Sequence, residues 1–183
     1  MADTKITGMT PASLPLTGTE IVPLVQGGAN VKAIVHAITA ATYGEIYVSG
    51  GSTAQTLTSA NTFYDVNAFD TDGLSNAVTL DAANQKITID VAGDYLVQFF
   101  ITFTDSNNKT FSFRCYNSTT ATPYANTVVK SHSHSVDPMF VAVSAFIHAE
   151  DGDDLVVQAA CASDSTAITV TDANFAVMLL KAD

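Results

Sequence analysis

Basic residues are scarce in this chain, and their scarcity argues against several classes of partner. Seven Lys and Arg stand against 18 Asp and Glu, which gives a formal net charge of −11. Binding to nucleic acid needs a basic face that neutralises phosphates, so neither nucleic acid nor an anionic membrane surface is an expected partner. Charged residues make up only 14% of the chain, whereas the surface of a solitary soluble domain is typically about a quarter charged or more. The composition therefore favours a protein that hides further surface between subunits.

Cysteines and long apolar segments are also rare. The two cysteines, Cys115 and Cys161, each fall in an apparent strand, and we expect two buried free thiols rather than a disulfide. No run approaches the ~18 apolar residues of a membrane-spanning helix. The opening MADTKITGMT does not have the basic-then-apolar pattern of a signal peptide. We expect a chain that is made and assembled in a cytoplasm, with no membrane partner.

The dominant pattern is a two-residue alternation of apolar and other side chains, clearest over Lys86–Phe103. It predicts two half-buried strands joined by a tight turn at Ala92-Gly93-Asp94. The apolar faces of these strands carry Ile87, Ile89 and Val91, then Tyr95, Val97, Phe99, Ile101 and Phe103. The last segment, Asn174–Lys181, is apolar on both faces, as is typical of a central strand whose outer face meets another subunit.

Short alternating segments recur along the rest of the chain at the spacing of a sandwich, with no long helical pattern. They predict an all-β fold, an antiparallel β-sandwich, over residues 43–183. The further strand candidates are Glu45–Val48, Thr53–Thr58, Ala77–Leu80, Thr110–Tyr116, Val128-Val129, Met139–His148, Leu155–Cys161, Ile168–Val170 and Phe175–Leu180.

Residues 1–42 differ in composition from the rest of the chain. They contain three of the five prolines, which argues against a central strand, yet they are too apolar to remain solvated. We expect an extended arm that needs a groove on another protein. Within it, Ile21–Val25 and Val31–Val35 could pair around a turn at Gly27-Gly28, and Val35–Ala41 could form one or two helical turns.

The run LTGTEIVPLVQGGANVKAIV in this arm resembles a leader found in virion proteins of tailed bacteriophages, especially tail-fibre and other appendage proteins. The resemblance implies attachment to the particle, with capsid or tail proteins as partners. It also implies a place on the virion surface, after assembly in the cytoplasm of a host bacterium. The matching positions are Leu16, Thr17, Gly18, Thr19, Glu20, Val22, Pro23, Gln26, Gly27, Gly28 and Lys32.

The order of motifs between residues 74 and 180 resembles the trimeric jelly roll of the tumour-necrosis-factor and complement-globular-head superfamily. Gly93-x-Tyr95 opens a core strand, Gly152-Asp153 precedes a later strand, and Phe175 begins the last one. Ala176-Val177 departs from the Ser-Gly that usually follows that aromatic. The resemblance implies a homotrimer with aromatic and aliphatic side chains along its threefold axis. The candidate core and trimer residues are Tyr95, Val97, Phe99, Phe146, Phe175, Val177 and Leu179.

Two local patterns could bind metal. His132 and His134 would face the same side of an extended segment, and six imidazoles on a threefold axis could hold one transition metal, an arrangement that resembles some phage fibre tips. The serines around them fit an exposed loop better. The acidic run of residues 150–154 lacks the ligand spacing of a helix-flanked calcium loop, and a solvated turn is favoured. We expect neither a metal nor another cofactor.

No pattern indicates an enzyme. Asp70 and Asp72 would need a cleft and a shifted pKa to act in hydrolysis, and Asp70-Thr71-Asp72-Gly73 is a natural turn. The nucleophile motif G-x-S-x-G is absent from the sequence. Tyr116 and Tyr124 could stack on sugars, although plain surface is the commoner role for such tyrosines.

The sequence therefore predicts a homotrimeric structural protein of a tailed-phage virion, a decoration or fibre protein. Its arm would attach to the capsid or tail, and its jelly-roll head would be displayed on the particle. The alternative is a receptor-binding tail-fibre adhesin that recognises a bacterial surface glycan. A third hypothesis, a carbohydrate-binding domain unrelated to phage, leaves the leader motif without an explanation.

Overall fold

A computed structural model gives the fold. It describes residues 21–26, 29–34, 41–105, 108–132 and 138–183. The chain divides into two compact units, residues 1–40 and 41–183. In the first unit, β1 (Ile21–Gln26) pairs antiparallel with β2 (Ala29–Ile34). This pairing confirms the predicted hairpin, whereas the predicted helical turns before Ala41 lie outside the described residues.

The second unit is a sandwich of two antiparallel sheets, which confirms the predicted fold class. Sheet I has the strand order β13-β9-β15-β3-β6, with β4 paired to the N-terminal part of β15. Its strands are β3 (Tyr43–Ser49), β4 (Ala54–Leu57), β6 (Thr71–Asn76), β9 (Gly93–Thr104), β13 (Met139–Ala149) and β15 (Thr166–Ala182).

Sheet II has the order β11-β10-β14-β8-β7, with β12 paired to β10 and β5 paired to β14. Its strands are β5 (Tyr64–Asp65), β7 (Val78–Asp81), β8 (Lys86–Ile89), β10 (Thr110–Asn117), β11 (Thr122–Pro123), β12 (Val129–His132) and β14 (Asp154–Cys161). Two short 3-10 helices, Ala82–Asn84 and Ala125–Thr127, join strands. No helix among the described residues is long and apolar enough to span a membrane.

Two details of strand connection differ from the sequence-based expectation. The strands on either side of Ala92 do not pair with each other, because β8 belongs to sheet II and β9 to sheet I. The segment between them crosses from one sheet to the other. The two strands expected around Thr171 are instead one strand, β15. A register shift between Val170 and Asp172 absorbs the irregularity as a β-bulge.

The core lies between the sheets and is filled by the inward-facing side chains of both. The Phe103 ring of sheet I packs against Phe111 at 5.2 Å and Phe113 at 5.0 Å between ring centroids, and both partners belong to sheet II. Burying each such side chain contributes about 1.5–3 kcal/mol. Cys115 and Cys161 are buried and free, as expected. Burial raises the pKa of Cys115 to about 12, which keeps it a thiol.

Hydrogen bonds from the two motifs Gly93-x-Tyr95 and Gly152-Asp153 hold the segment that crosses from β8 to β9. The Tyr95 hydroxyl donates to the Val91 carbonyl at 2.6 Å, which ties the crossing segment to the start of β9. On the other sheet, the Gly152 N–H donates to the Ile89 carbonyl at 2.8 Å, and the Ile89 N–H donates to the Asp153 carbonyl at 2.9 Å. The hydrogen bonds of both motifs therefore stabilise the same end of the sandwich.

Candidate functional site

The outer face of sheet I carries most of the exposed apolar surface of the head. Among the described residues, eight of the nine large hydrophobic side chains that remain exposed lie on its strands. Phe146 on β13 is 67% exposed and Leu74 on β6 is 71% exposed. These eight are Tyr43, Tyr47, Leu74, Phe100, Phe140, Phe146, Met178 and Leu180.

The strand register arranges this surface in three rows that run across β13, β9, β15 and β3. Directly opposite residues share a face and contact each other, so each row is continuous. The upper row is Ala142, Phe100, Asn174 and Tyr47. The middle row is Ser144, Gln98, Ala176 and Glu45. The lower row is Phe146, Leu96, Met178 and Tyr43.

The middle row is polar or small and is already hydrogen-bonded within the protomer. Gln98 Nε2 donates to Ser144 Oγ at 3.3 Å. From the upper row, Asn174 Nδ2 donates to Glu45 Oε2 at 2.8 Å. These polar groups therefore already have hydrogen-bond partners within the protomer. This lowers the free-energy cost of burying them under a second protein.

Two shallow depressions lie between the rows. One, of about 460 Å³, is lined by Gln98, Phe100, Phe140 and Ser144. The other, of about 320 Å³, is bordered by Tyr43, Leu74, Leu96 and Met178. The face is thus a pair of largely apolar ridges that flank a trough of small or polar side chains. We call it the ridged face.

The predicted core and trimer residues divide between the inside of the sandwich and the ridged face. Phe146 lies on the ridged face, and Leu179 is partly buried against the core. The others are buried inside the protomer, namely Tyr95, Val97, Phe99, Phe175 and Val177. Sequence reasoning missed Tyr43, Leu74 and Met178 as surface residues. The alternation of residues along Met139–His148 in the sequence puts Phe140 and Phe146 on the face opposite Val141.

Of the two metal candidates, one can be placed in part. His132 is exposed at the end of β12, where its Nδ1 lies 3.0 Å from the Thr110 hydroxyl; His134 lies outside the described residues. In the acidic turn, Asp153 is buried and accepts from the Glu150 N–H at 2.9 Å. Asp154 accepts from Lys86 Nζ at 2.8 Å. These two carboxylates serve the fold.

A second acidic group surrounds His148 at the edge of the ridged face. Its Nδ1 lies 3.1 Å from Asp94 Oδ1, and its Nε2 lies 3.3 Å from Glu150 Oε1 and 3.6 Å from Asp183 Oδ2. One nitrogen and two carboxylate oxygens thus lie within 4.8 Å of one another. All these side chains are exposed. Hydrogen bonds to Asp94 and Glu150 raise the pKa of His148, so ion pairing with the imidazolium accounts for the grouping.

The remaining candidates have structural contacts. Asp70 accepts from the Thr71 hydroxyl at 2.7 Å, and Asp72 accepts from the Ala82 N–H at 2.8 Å. Tyr116 is half-buried. Tyr124 packs on the core and donates to the His148 carbonyl at 3.0 Å, so it is less exposed than expected.

Only part of the predicted anchor falls within the described residues. Val22, Pro23 and Gln26 lie on β1, and Lys32 lies on β2 opposite Pro23. The remaining anchor positions, Leu16, Thr17, Gly18, Thr19, Glu20, Gly27 and Gly28, lie outside the described residues.

Known proteins resemble this chain in fold rather than in sequence. No protein-family model matches it, and no curated protein is similar to it in sequence. The structure of Eiger TNF from S. frugiperda superposes with a TM-score of 0.57 at 13% identity, covering 77% of this chain and 93% of that one. The globular domain of zebrafish complement 1qA protein gives 0.55 at 11% identity, covering 78% and 99%.

The chain therefore has the jelly-roll fold of TNF and complement 1q globular domains. This confirms the fold implied by Gly93, Tyr95, Gly152 and Phe175. At such low identity the likeness extends to the fold alone. The phage origin and the leader of residues 16–35 receive no support from these neighbours and stay predictions.

Proposed function

We propose that this protein is a homotrimeric structural protein of a tailed-phage virion, in which three jelly-roll heads associate through the ridged face and the N-terminal arm attaches the trimer to the capsid or tail. The observation that carries the trimer is the concentration of exposed apolar side chains on one sheet. A contiguous apolar surface of this kind marks an interaction site in a soluble protein.

Three properties favour a second copy of this chain as the occupant of the ridged face. In a cyclic trimer one part of this face meets a different part of the next copy, so ridges of Phe146 and Met178 can enter the trough beside Ser144 and Ala176 of a neighbouring copy. Glu45 is the only charged side chain in the three rows. Two copies that each have a net charge of −11 repel each other over the rest of their surfaces. Association is therefore favoured at a face that carries little charge.

The mass of the protein in solution tests the trimer. Light scattering should give three times the 19.2 kDa chain mass. Phe146→Glu places a charge on an apolar ridge and should shift the protein to monomer, because the interface would bury an unpaired carboxylate. The side chain is 67% exposed in the protomer, so the fold should persist.

Val128→Glu is the matched control. Val128 is also a large hydrophobic residue with an exposed side chain, 45% exposed, but it does not lie on sheet I. Its replacement should leave the trimeric mass unchanged. A monomeric wild type, or equal dissociation by both substitutions, contradicts assembly through the ridged face.

Attachment to a particle is supported by the leader-like positions in residues 16–32 and by the hairpin of β1 and β2. Three arms in one trimer would bind together, which raises the overall attachment well above that of a single arm. The test is peptide mass spectrometry of phage particles purified from cells that make the full chain or a chain without residues 1–42. The full chain should co-purify and the shortened chain should not. Incorporation of both would refute the anchor.

A further inference from the structure

The outer face of sheet II contains a small cavity where basic side chains gather. Arg114 is the only arginine of the chain, and together with Lys130 it lines a cavity of about 300 Å³. Ser112, Asn61, Phe63 and Val128 also line it. Two of the seven basic residues, in a chain with a net charge of −11, thus line one cavity.

The strand register puts three potential cations side by side. Lys130 lies directly opposite Ser112 in the pairing of β10 with β12, and His132 lies directly opposite Thr110. Arg114 follows two residues after Ser112, and alternate residues of a strand point to the same face. Arg114, Lys130 and His132 therefore share the outward face of sheet II.

The Arg114 guanidinium is held in a fixed position. Its Nε and Nη2 donate to Gln158 Oε1 at 2.9 and 2.7 Å. Its Cζ lies 3.7 Å from the ring centroid of Phe63 and 5.1 Å from that of Tyr116. Cation–π contacts of this kind fix the plane of the group as well as its place.

The held guanidinium keeps hydrogen-bonding capacity for a ligand. Two of its five N–H groups bind Gln158, and the other three have no hydrogen-bond partner among the described residues. Within the same described ranges, no carboxylate pairs with it as a salt bridge. Gln158 stands between it and Asp65, to which Gln158 Nε2 donates at 2.9 Å.

We propose that this cavity binds a carboxylated sugar. The free N–H groups of Nη1 and Nη2 form an end-on fork that matches a carboxylate, and Lys130 adds a second positive charge at the rim. Ser112 and Asn61 offer hydroxyl and amide groups to the sugar hydroxyls. Phe63 and Val128 provide apolar surface for the C–H side of the ring.

The size and location of the cavity suit a terminal sugar. Its volume is at the low end of the ~300–1,000 Å³ typical of small-molecule sites. It lies on sheet II, whereas the ridged face lies on sheet I. Self-association through the ridged face would leave it open to solvent. The proposal goes beyond the structural role and depends on neither the trimer nor the arm.

A titration followed by ¹H–¹⁵N NMR tests the site, with galacturonate and galactose as probes that differ only in the carboxylate at C6. At physiological salt, galacturonate should shift the amide signals of residues 110–116 and 128–130, and galactose should bind at least tenfold more weakly. Arg114→Lys keeps the charge but loses the fork, and should weaken galacturonate binding about tenfold. Lys130→Gln should weaken it about threefold.

Lys181→Gln is the control, since Lys181 is an exposed cation of sheet I, and binding should not change. Lys130 is exposed, so its variant keeps the test valid even if Arg114→Lys disturbs the fold. The proposal is overturned if galacturonate shifts no signals in these segments, if galactose binds equally well, or if inorganic phosphate at the same concentration produces the same shifts as galacturonate. None of these results changes the mass expected for the trimer.

Discussion

His148 is a titratable side chain whose surroundings contain carboxylates from three sides. Asp94 on β9, Glu150 in the following turn and Asp183 after β15 all face its ring. Hydrogen bonds to Asp94 and Glu150 raise its pKa in the folded protein above the ordinary value of about 6.5. The folded state therefore holds this proton more tightly than the unfolded state does.

The sign of the resulting pH dependence follows from linkage. The stabilisation is fully present below about pH 6.5, the ordinary histidine pKa, and is lost as pH rises through the raised folded value. His148→Gln should therefore lower the urea midpoint of unfolding at acidic pH. Above the folded pKa the two proteins should have similar midpoints.

The measurement compares wild type and variant across that pH range at one fixed protomer concentration, because association also shifts the midpoint. His132→Gln serves as a control, since among the described residues the hydrogen-bond contact of His132 is the Thr110 hydroxyl. A midpoint difference for His148→Gln that stays constant with pH would contradict this assignment.

For individual residues the sequence predicted burial better than it predicted side-chain contacts. Alternation correctly assigned Tyr95, Val97 and Phe99 to the interior, because a strand with one buried face must alternate. It did not reveal that Arg114 meets Phe63. That contact depends on sheet II pairing and on a loop 51 residues earlier in the chain, and local periodicity contains no information about such partners.

The two glycines of the jelly-roll motifs serve different purposes within their elements. A Cβ at Gly93 would collide with the Lys181 carbonyl and lie 2.9 Å from Leu179 Cδ1. Gly93 also has φ of +155°. Gly152 has φ of +86°, but a Cβ there would meet no atom of the described residues within 4 Å. The first glycine allows β15 to approach β9 closely, and the second allows a turn.

Substituting each glycine with alanine separates these purposes. Gly93→Ala should lower the free energy of unfolding by about 3 kcal/mol or more, since steric overlap adds to backbone strain. Gly152→Ala should cost only about 1 kcal/mol, from strain alone. Urea denaturation of the two variants measures both. Equal losses would show that the contact with Lys181 is unimportant.

Strand pairing was the part of the architecture that local pattern did not determine. The alternation over Lys86–Phe103 correctly gave two strands with inward apolar residues. The tight turn predicted at Ala92-Gly93-Asp94 implied that they pair with each other, and this was wrong, because β8 lies in sheet II and β9 in sheet I. Strands of either sheet can bury the same side chains in one core. The hydrogen bonds from the Tyr95 hydroxyl to Val91 and from the Gly152 N–H to Ile89 favour the crossing. These partners can be identified only from the assembled sheets.

The whole molecule should tolerate removal of its first unit. Residues 41–183 form a compact unit with their own core, and the Thr42 carbonyl accepts from the Leu179 N–H at 2.9 Å near its start. A chain that begins at Ala41 should keep the thermal unfolding midpoint of the full protein within a few degrees. It should also keep the mass of a trimer.

A shorter chain that begins at Ile46 provides the comparison. It lacks Thr42 and the beginning of β3, Tyr43–Glu45, which includes two residues of the ridged face. It should unfold at lower temperature and lose trimer mass. Circular dichroism and light scattering measure both properties. A chain from Ala41 that does not fold would contradict the independence of the head.

The central position of β15 has a consequence for synthesis. One neighbour of β3 is β6, but its other neighbour is β15, where Phe175 pairs with Ile46 more than a hundred residues further along the chain. At ~5–20 residues per second this is a delay of roughly ten seconds. Until Thr166–Ala182 has left the ribosome, sheet I lacks the strand that joins its two halves. Closure of the sandwich is consequently an event that follows translation of the head rather than accompanying it.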